Sequence, residues 1–318
     1  MNAERMLLPW LLPVFMACAA LEWWWLAKRA HGSLNGADVR ARRGSLDGRE
    51  SLASLAIAFG QPVSRLAATA VWGGVVEWFW LHRVATVPLD TVWGLALLFF
   101  GTELCYYAYH RAGHEIRWFW ASHCVHHSPE HMNLTAAYRL GWTAGISGAV
   151  LFFVPMIVLG FAPIAVFAVL GLNLLWQFWL HTELVPKLGW FEWVFNTPSH
   201  HRVHHASNPR YLDTNYGGIL IVYDRLFGSF AEEDAAEPCR YGLVTPVNSH
   251  NPLRIAFHDW MALARDLAAA RSLRAVLGAL FGPPGWQADG LGPTTKNLRR
   301  GLVSAPATHP LTTQGEFA

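Results

Sequence analysis

Apolar residues in this chain gather into runs separated by short polar breaks, and the run lengths predict helices rather than strands. The first run, residues 6–27, is long enough to cross roughly 30 Å of hydrocarbon. It ends in Trp23, Trp24 and Trp25, followed by Lys28 and Arg29, and it lacks a small-residue cleavage site, so it reads as a signal anchor. The next loop carries Arg40, Arg42, Arg43 and Arg49, which places it in the cytoplasm by the positive-inside rule and the N-terminus outside. A second run starts near Leu52 but is interrupted by Gly60, Gln61, Pro62 and Arg65, leaving 66–81 as its spanning part. A third, 92–109, runs from outside to inside and leads into a set of histidines. The fourth and fifth, 146–161 and 164–180, are joined by Gly160, Phe161, Ala162 and Pro163 and form an antiparallel hairpin open to the cytoplasm.

Later segments are more polar. From Pro186 the chain is loop-rich, with Trp190 and Trp193 as interfacial anchors. Residues 256–277 read as an amphipathic helix bearing Arg265, Asp266 and Arg271, and the end from Pro283 reads as flexible. The expected fold is an all-α integral membrane protein with about four to five transmembrane helices and a cytoplasmic, histidine-rich helical metal-binding region. Three segments follow: 1–89 with N-terminal membrane helices and a cytoplasmic loop, 90–235 with the histidines, and 236–318 with a cytoplasmic helix and tail.

Composition agrees with a membrane setting. Hydrophobic residues make up 53% and charged residues 14%, and there are 17 Trp. An ordinary soluble domain has roughly 25% charged residues. The net charge of +2, with no basic run interleaved with aromatics, excludes a nucleic-acid groove. Four cysteines, Cys18, Cys105, Cys124 and Cys239, form no CxxC pair, which leaves neither a thiolate metal site nor a disulfide framework.

Histidine changes the picture. Of 16 in the chain, 11 fall between His110 and His205. Three clusters stand out: His110 with His114, then His123, His126 and His127, then His201, His204 and His205. On a helix, residues three and four apart share a face, so each cluster aims its imidazoles at one point. Neutral imidazole suits Fe, Zn, Cu or Ni, and eight such ligands are enough for two ions. The apolar runs place all three clusters on the cytoplasmic side.

Other polar residues surround these boxes. Glu103 lies seven before His110 on the same helical face, where it is expected to accept the distal N–H of a ligating imidazole. Glu115 pairs with Arg111 or serves the site, and His181, at the end of the fifth run, is a ninth ligand or a substrate contact. His200 points away from His201 and takes an outer role, while His131 lies beyond Pro129, which breaks its helix. His31, His82, His250, His258 and His309 read as surface residues.

The boxes resemble the eight-histidine signature HxxxH, HxxHH, HxxHH of the fatty acid hydroxylase and sterol desaturase superfamily, here complete. Residues 103–115 (ELCYYAYHRAGHE), 177–184 (QFWLHTEL) and 196–230 are most similar to its tetrahydrobiopterin-dependent branch, which oxidises the ether-bearing carbon of alkylglycerols. The resemblance covers about 90–235. It implies two iron ions held by His110, His114, His123, His126, His127, His201, His204 and His205, with O₂ and a membrane lipid as substrates. It also implies tetrahydrobiopterin as reductant, and Glu115 matches an acidic position of that branch. A fatty acyl or sterol hydroxylase or desaturase fed by an electron-transfer protein keeps the same metal site. A non-enzymatic membrane metal-binding or transport protein is the competing class, but transporters place ion sites near the bilayer midplane.

Overall fold

The computed structural model describes residues 3–32 and 47–303. The arginines Arg40, Arg42 and Arg43, His309 and the last part of the tail lie outside the described residues.

Helices build the molecule, and among the described residues there are no strands, only the isolated bridges Phe195 to Leu220 and Ala206 to Tyr241. In chain order the helices are α1 (Ala3–Gly32), α2 (Gly48–Leu81), α3 (Val92–Glu115), α4 (Arg117–His127), α5 (Val154–Leu159), α6 (Pro163–Phe178), α7 (Pro198–His205), α8 (Val222–Phe227), α9 (Pro252–Ala269), α10 (Leu273–Phe281) and α11 (Thr295–Arg299). Short 3₁₀ turns occupy Leu134–Tyr138, Ala149–Phe153 and Gly189–Trp193.

The apolar runs do become helices, but the expected count of four to five spanning helices is not met. Among the described residues no helix is long and apolar enough to cross a membrane. In α2 the length suffices, yet Gln61, Ser64, Arg65 and Glu77 punctuate it. In α3 the second half carries Thr102, Glu103, Tyr106, Tyr107, His110 and His114 on its buried side. The fourth run splits into a 3₁₀ turn and the six-residue α5, and the 16-residue α6 reaches only about 24 Å. The hairpin between them is present. Its turn is Gly160, at φ +112, and a Cβ there would lie 2.3 Å from the Ala85 carbonyl oxygen, so only glycine fits.

Two cores hold the frame. Leu98 and Tyr106 of α3 pack with Phe153, Met156, Ile157, Phe161 and Val166, fastening α3 to α5 and α6. Ala53 and Ile57 of α2 pack with Cys124 and Val125 of α4, with Ile255 of α9 and with Leu243 from the loop before it, which fastens the histidine-bearing α4 between two longer helices. Full burial of a residue such as Ile57 or Ile157 contributes about 1.5–3 kcal/mol.

Candidate metal centre

Each histidine box sits at the end of a helix, and the local sequence explains where that end falls. One extended residue, Ile116, separates α3 from α4, so α4 folds back and brings His123 against the last turns of α3. Gly113 faces this ring, and a Cβ there would lie in contact with His123 Cγ at 3.4 Å. Pro129 follows the Ser128 cap and stops α4 directly after its last two histidines. Pro198 occupies the first turn of α7, where a missing N–H costs nothing, and Ala206 leaves the helix in extended form.

These three ends converge. His110, His114, His123, His127 and His204 form one group, and His126, His181, His201 and His205 form a second. Within each group the ligand nitrogens lie within 4.8 Å of one another. His127 and His205 stack at 4.3 Å between ring centroids, so the groups share a wall. His181 joins the second group, its Nε2 3.2 Å from Nε2 of His126 and 3.0 Å from that of His201.

Backbone carbonyls fix the rings. The Nδ1–H of His110 donates to Tyr216 at 2.7 Å, that of His181 to Gln177 at 2.8 Å, and that of His204 to Thr214 at 2.9 Å. His126 donates to Arg139 at 3.2 Å, and His114 Nδ1 lies 3.7 Å from the Asp213 carboxylate. Donation through Nδ1 leaves the Nε2 lone pair free to point inward, the arrangement that second-sphere partners impose on metal-binding imidazoles. Burial, reinforced by neighbouring imidazoles, holds His123, His126, His127, His201, His204 and His205 well below the ordinary histidine pKa. Burial likewise lowers His181 to about 4. These seven rings are therefore neutral near pH 7.

The residues fit metal ions. Nε2 to Nε2 separations of 3.0–3.2 Å recur between His110 and His123, His123 and His127, and His201 and His205. Ligands about 2.1 Å from a shared ion are spaced by about that distance. Nε2 of His114 and of His204 is buried with no hydrogen-bond partner. An open cluster of lone pairs is costly unless something accepts them.

The outlying residues fall less uniformly. Glu103 does not touch an imidazole, contrary to expectation. Its carboxylate accepts from Asn173 at 2.5 Å and from the backbone N–H groups of Ile219 and Leu220 at 2.9 and 3.0 Å. The reason is the fold: the loop after α7 passes between Glu103 and the histidines and takes its hydrogen bonds. Glu115 pairs with Arg111 at 2.9 Å, both side chains being about 40% exposed. His200 is buried against Phe230, 4.0 Å from Glu192, and His131 pairs with Glu50 and joins neither group. Tyr216 escaped the sequence reading. It is fully buried, 5.3 Å from His114 between centroids, with an unpartnered hydroxyl. Asn173 and Gln177 left a legible signal: with His181 they fall every four residues, a polar stripe through an apolar helix.

Comparison with known proteins points to the same segment of the chain. Residues 95–229 match the fatty acid hydroxylase family model. Alkylglycerol monooxygenase of Xenopus tropicalis is 41% identical over 206 residues, which is 64% of this chain and 45% of that protein. The Homo sapiens alkylglycerol monooxygenase is 39% identical over the same shares. Ornithine lipid hydroxylase OlsE of Rhizobium tropici is 30% identical over 149 residues, 45% of this chain and 42% of that one. The chain thus spans a little under half the length of these relatives. No solved structure matches it. The matched segment contains all nine histidines of the two groups, so the part of the chain that matches the fatty acid hydroxylase family model is the part that carries the site.

Proposed function

We propose that this protein is a membrane-bound diiron lipid monooxygenase that uses O₂ to hydroxylate the ether-bearing carbon of alkylglycerol-type lipids. The observation that carries this reading is the pair of buried imidazole groups, five and four strong, side by side. His110, His114, His123, His127 and His204 would hold one iron, and His126, His181, His201 and His205 the other. The irons supply the oxidising power for an unactivated C–H bond, which no side chain possesses.

The chain's own residues do the rest. The carbonyls of Tyr216, Gln177, Thr214 and Arg139 orient the imidazoles, and the packing of the helices around them buries most of the rings. Overall, one oxygen atom enters the C–H bond and the other leaves as water, with two electrons and two protons drawn from a tetrahydropterin. Hydroxylation beside an ether oxygen gives a hemiacetal, which collapses to an aldehyde and glycerol without further catalysis.

Membrane attachment is supported by exposed apolar side chains on α2, α3 and α6, including Leu66, Trp78, Trp93, Leu97 and Ile164, each more than half exposed. The bias of Lys28, Arg29 and Arg49 favours a cytoplasmic site. Iron-loaded protein given O₂, tetrahydrobiopterin and an alkylglycerol should release a fatty aldehyde. No aldehyde, with hydroxylation of an acyl lipid on a ferredoxin-type donor, moves the assignment to an acyl-lipid hydroxylase of the kind OlsE's name describes.

A further inference from the structure

Beyond the family-matched segment, α9 and α10 carry two exposed apolar stripes. Leu253, Phe257 and Met261 recur every four residues on α9, and Leu273, Leu277 and Phe281 do so on α10. All six side chains are 37–72% exposed. Single apolar residues on a surface are ordinary, but two adjoining stripes form a patch. Arg254, Arg265, Arg271 and Arg274 border them and are exposed. Of the acids of these helices, Asp259 turns inward towards Arg117 of α4, 4.0 Å away, and Asp266, half exposed, is paired with the same arginine at 2.5 Å, which leaves the four exposed arginines in excess. The outward field of the pair is therefore positive, which complements anionic lipid.

A cavity of about 730 Å³ lies behind this patch. Its volume falls within the range of small-molecule sites, roughly 300–1,000 Å³. Met261, of the first stripe, and the neighbouring Arg254 and Arg265 line it and are also exposed, so the cavity reaches the surface along α9. Ala262, Ala275 and Ala279 form a small-residue wall, and its inner end reaches His114, His127, His204 and His205. The roof is fastened at its rear: the Arg117 N–H donates to the Gly282 carbonyl at 3.0 Å, and a Cβ at Gly278 would lie 2.3 Å from the Trp286 ring.

We propose that α9 and α10 dock on an anionic bilayer surface and that the cavity beneath them is the portal through which a single-chain lipid with an anionic head reaches the histidine cluster. Arg254 and Arg265 attract the head as the lipid enters, before it moves past the alanine wall to bring the carbons beside the head to the cluster. This deepens the lipid-oxidation reading and rests on it for the fate of the lipid, though not for its binding.

The test uses the full chain in nanodiscs of anionic lipid, with a single-chain phosphate-headed lipid carrying a diazirine near its head. After illumination, mass spectrometry should place the adduct on the peptides of α9 and α10. Ala262→Trp or Ala275→Trp, which fill the cavity, should cut this labelling by roughly tenfold, the equivalent of about 1.4 kcal/mol in binding, with iron content unchanged. Iron content and melting temperature reveal a misfolded variant. The surface variant Leu277→Asp/Phe281→Asp, whose side chains are exposed, then decides, and it too should lose the adduct. Labelling that lands on α3 or α6, or survives all these substitutions, overturns the portal. Photolabelling requires no turnover, so an intact portal with no lipid oxidation would instead count against the monooxygenase reading.

Discussion

Glu103 and Leu220, 117 residues apart, are joined by a 3.0 Å hydrogen bond from the Leu220 backbone N–H to the Glu103 carboxylate. The same oxygen takes the Ile219 N–H, and the stretch it pins includes Tyr216, whose carbonyl holds His110. Glu103 thus holds in place the backbone stretch whose Tyr216 carbonyl orients His110.

Removing that carboxylate strands two backbone N–H groups and the Asn173 amide. Each buried donor left unpaired costs about 1–3 kcal/mol, so Glu103→Ala should lower the melting temperature strongly and reduce iron per chain. Glu103→Gln keeps one acceptor oxygen and should fall between. A wild-type melting temperature in Glu103→Ala would show that the loop is fixed some other way.

His181 and His131 separate a site role from mere proximity in sequence. His181→Ala removes one nitrogen from the four-membered group and should bring iron towards one per chain, measured by elemental analysis of purified protein. His131→Ala touches only the pair with Glu50 and should leave iron content unchanged.

Steric control of the same loop is testable at Gly217. A Cβ there would lie 2.2 Å from the Leu220 carbonyl oxygen and 3.0 Å from the Asp224 carboxylate. Gly217→Ala should destabilise by about 1–3 kcal/mol, as overpacking does. Gly171, in α6 with nothing within 4 Å, provides the contrast: Gly171→Ala should be stabilising by about 0.5–1 kcal/mol. Denaturant midpoints distinguish the two.

The pair of His131 and Glu50 gives stability a pH dependence. Burial opposes the charged imidazolium, but the hydrogen bond and charge of Glu50 outweigh it, so the folded pKa lies above the ordinary value. Its contribution is full below the unfolded pKa of about 6.5 and is lost as pH rises through the folded one. The stability difference between wild type and Glu50→Gln should therefore shrink from pH 6 to pH 9. A difference that grows with pH would reverse the sign and sink this account.

Much of this protein was written into local pattern. Histidines spaced by three and four share a helical face whatever the rest of the chain does, so all three boxes, and the helices bearing them, could be read directly. Pro129 marked where the second of those helices stops, because proline lacks a donor and fixes φ, whereas the helix that starts at Pro198 lay in a stretch read as loop-rich. Asn173, Gln177 and His181 were equally visible as a stripe, although their purpose was not. Tertiary structure alone decided which nitrogens share a group. His126 and His127 are adjacent in sequence, yet successive helical residues point about 100° apart, and the packing of α3, α4 and α7 sends one to each group. It also decided that Glu103 serves a backbone loop, because its partners lie more than 100 residues away and no local spacing encodes that distance. The apolar runs were legible as helices but not as spans, since hydropathy averages over faces. In α3 one face buries Glu103, His110 and His114 while another exposes Trp93, Leu97 and Phe100, and only the packed molecule separates the two.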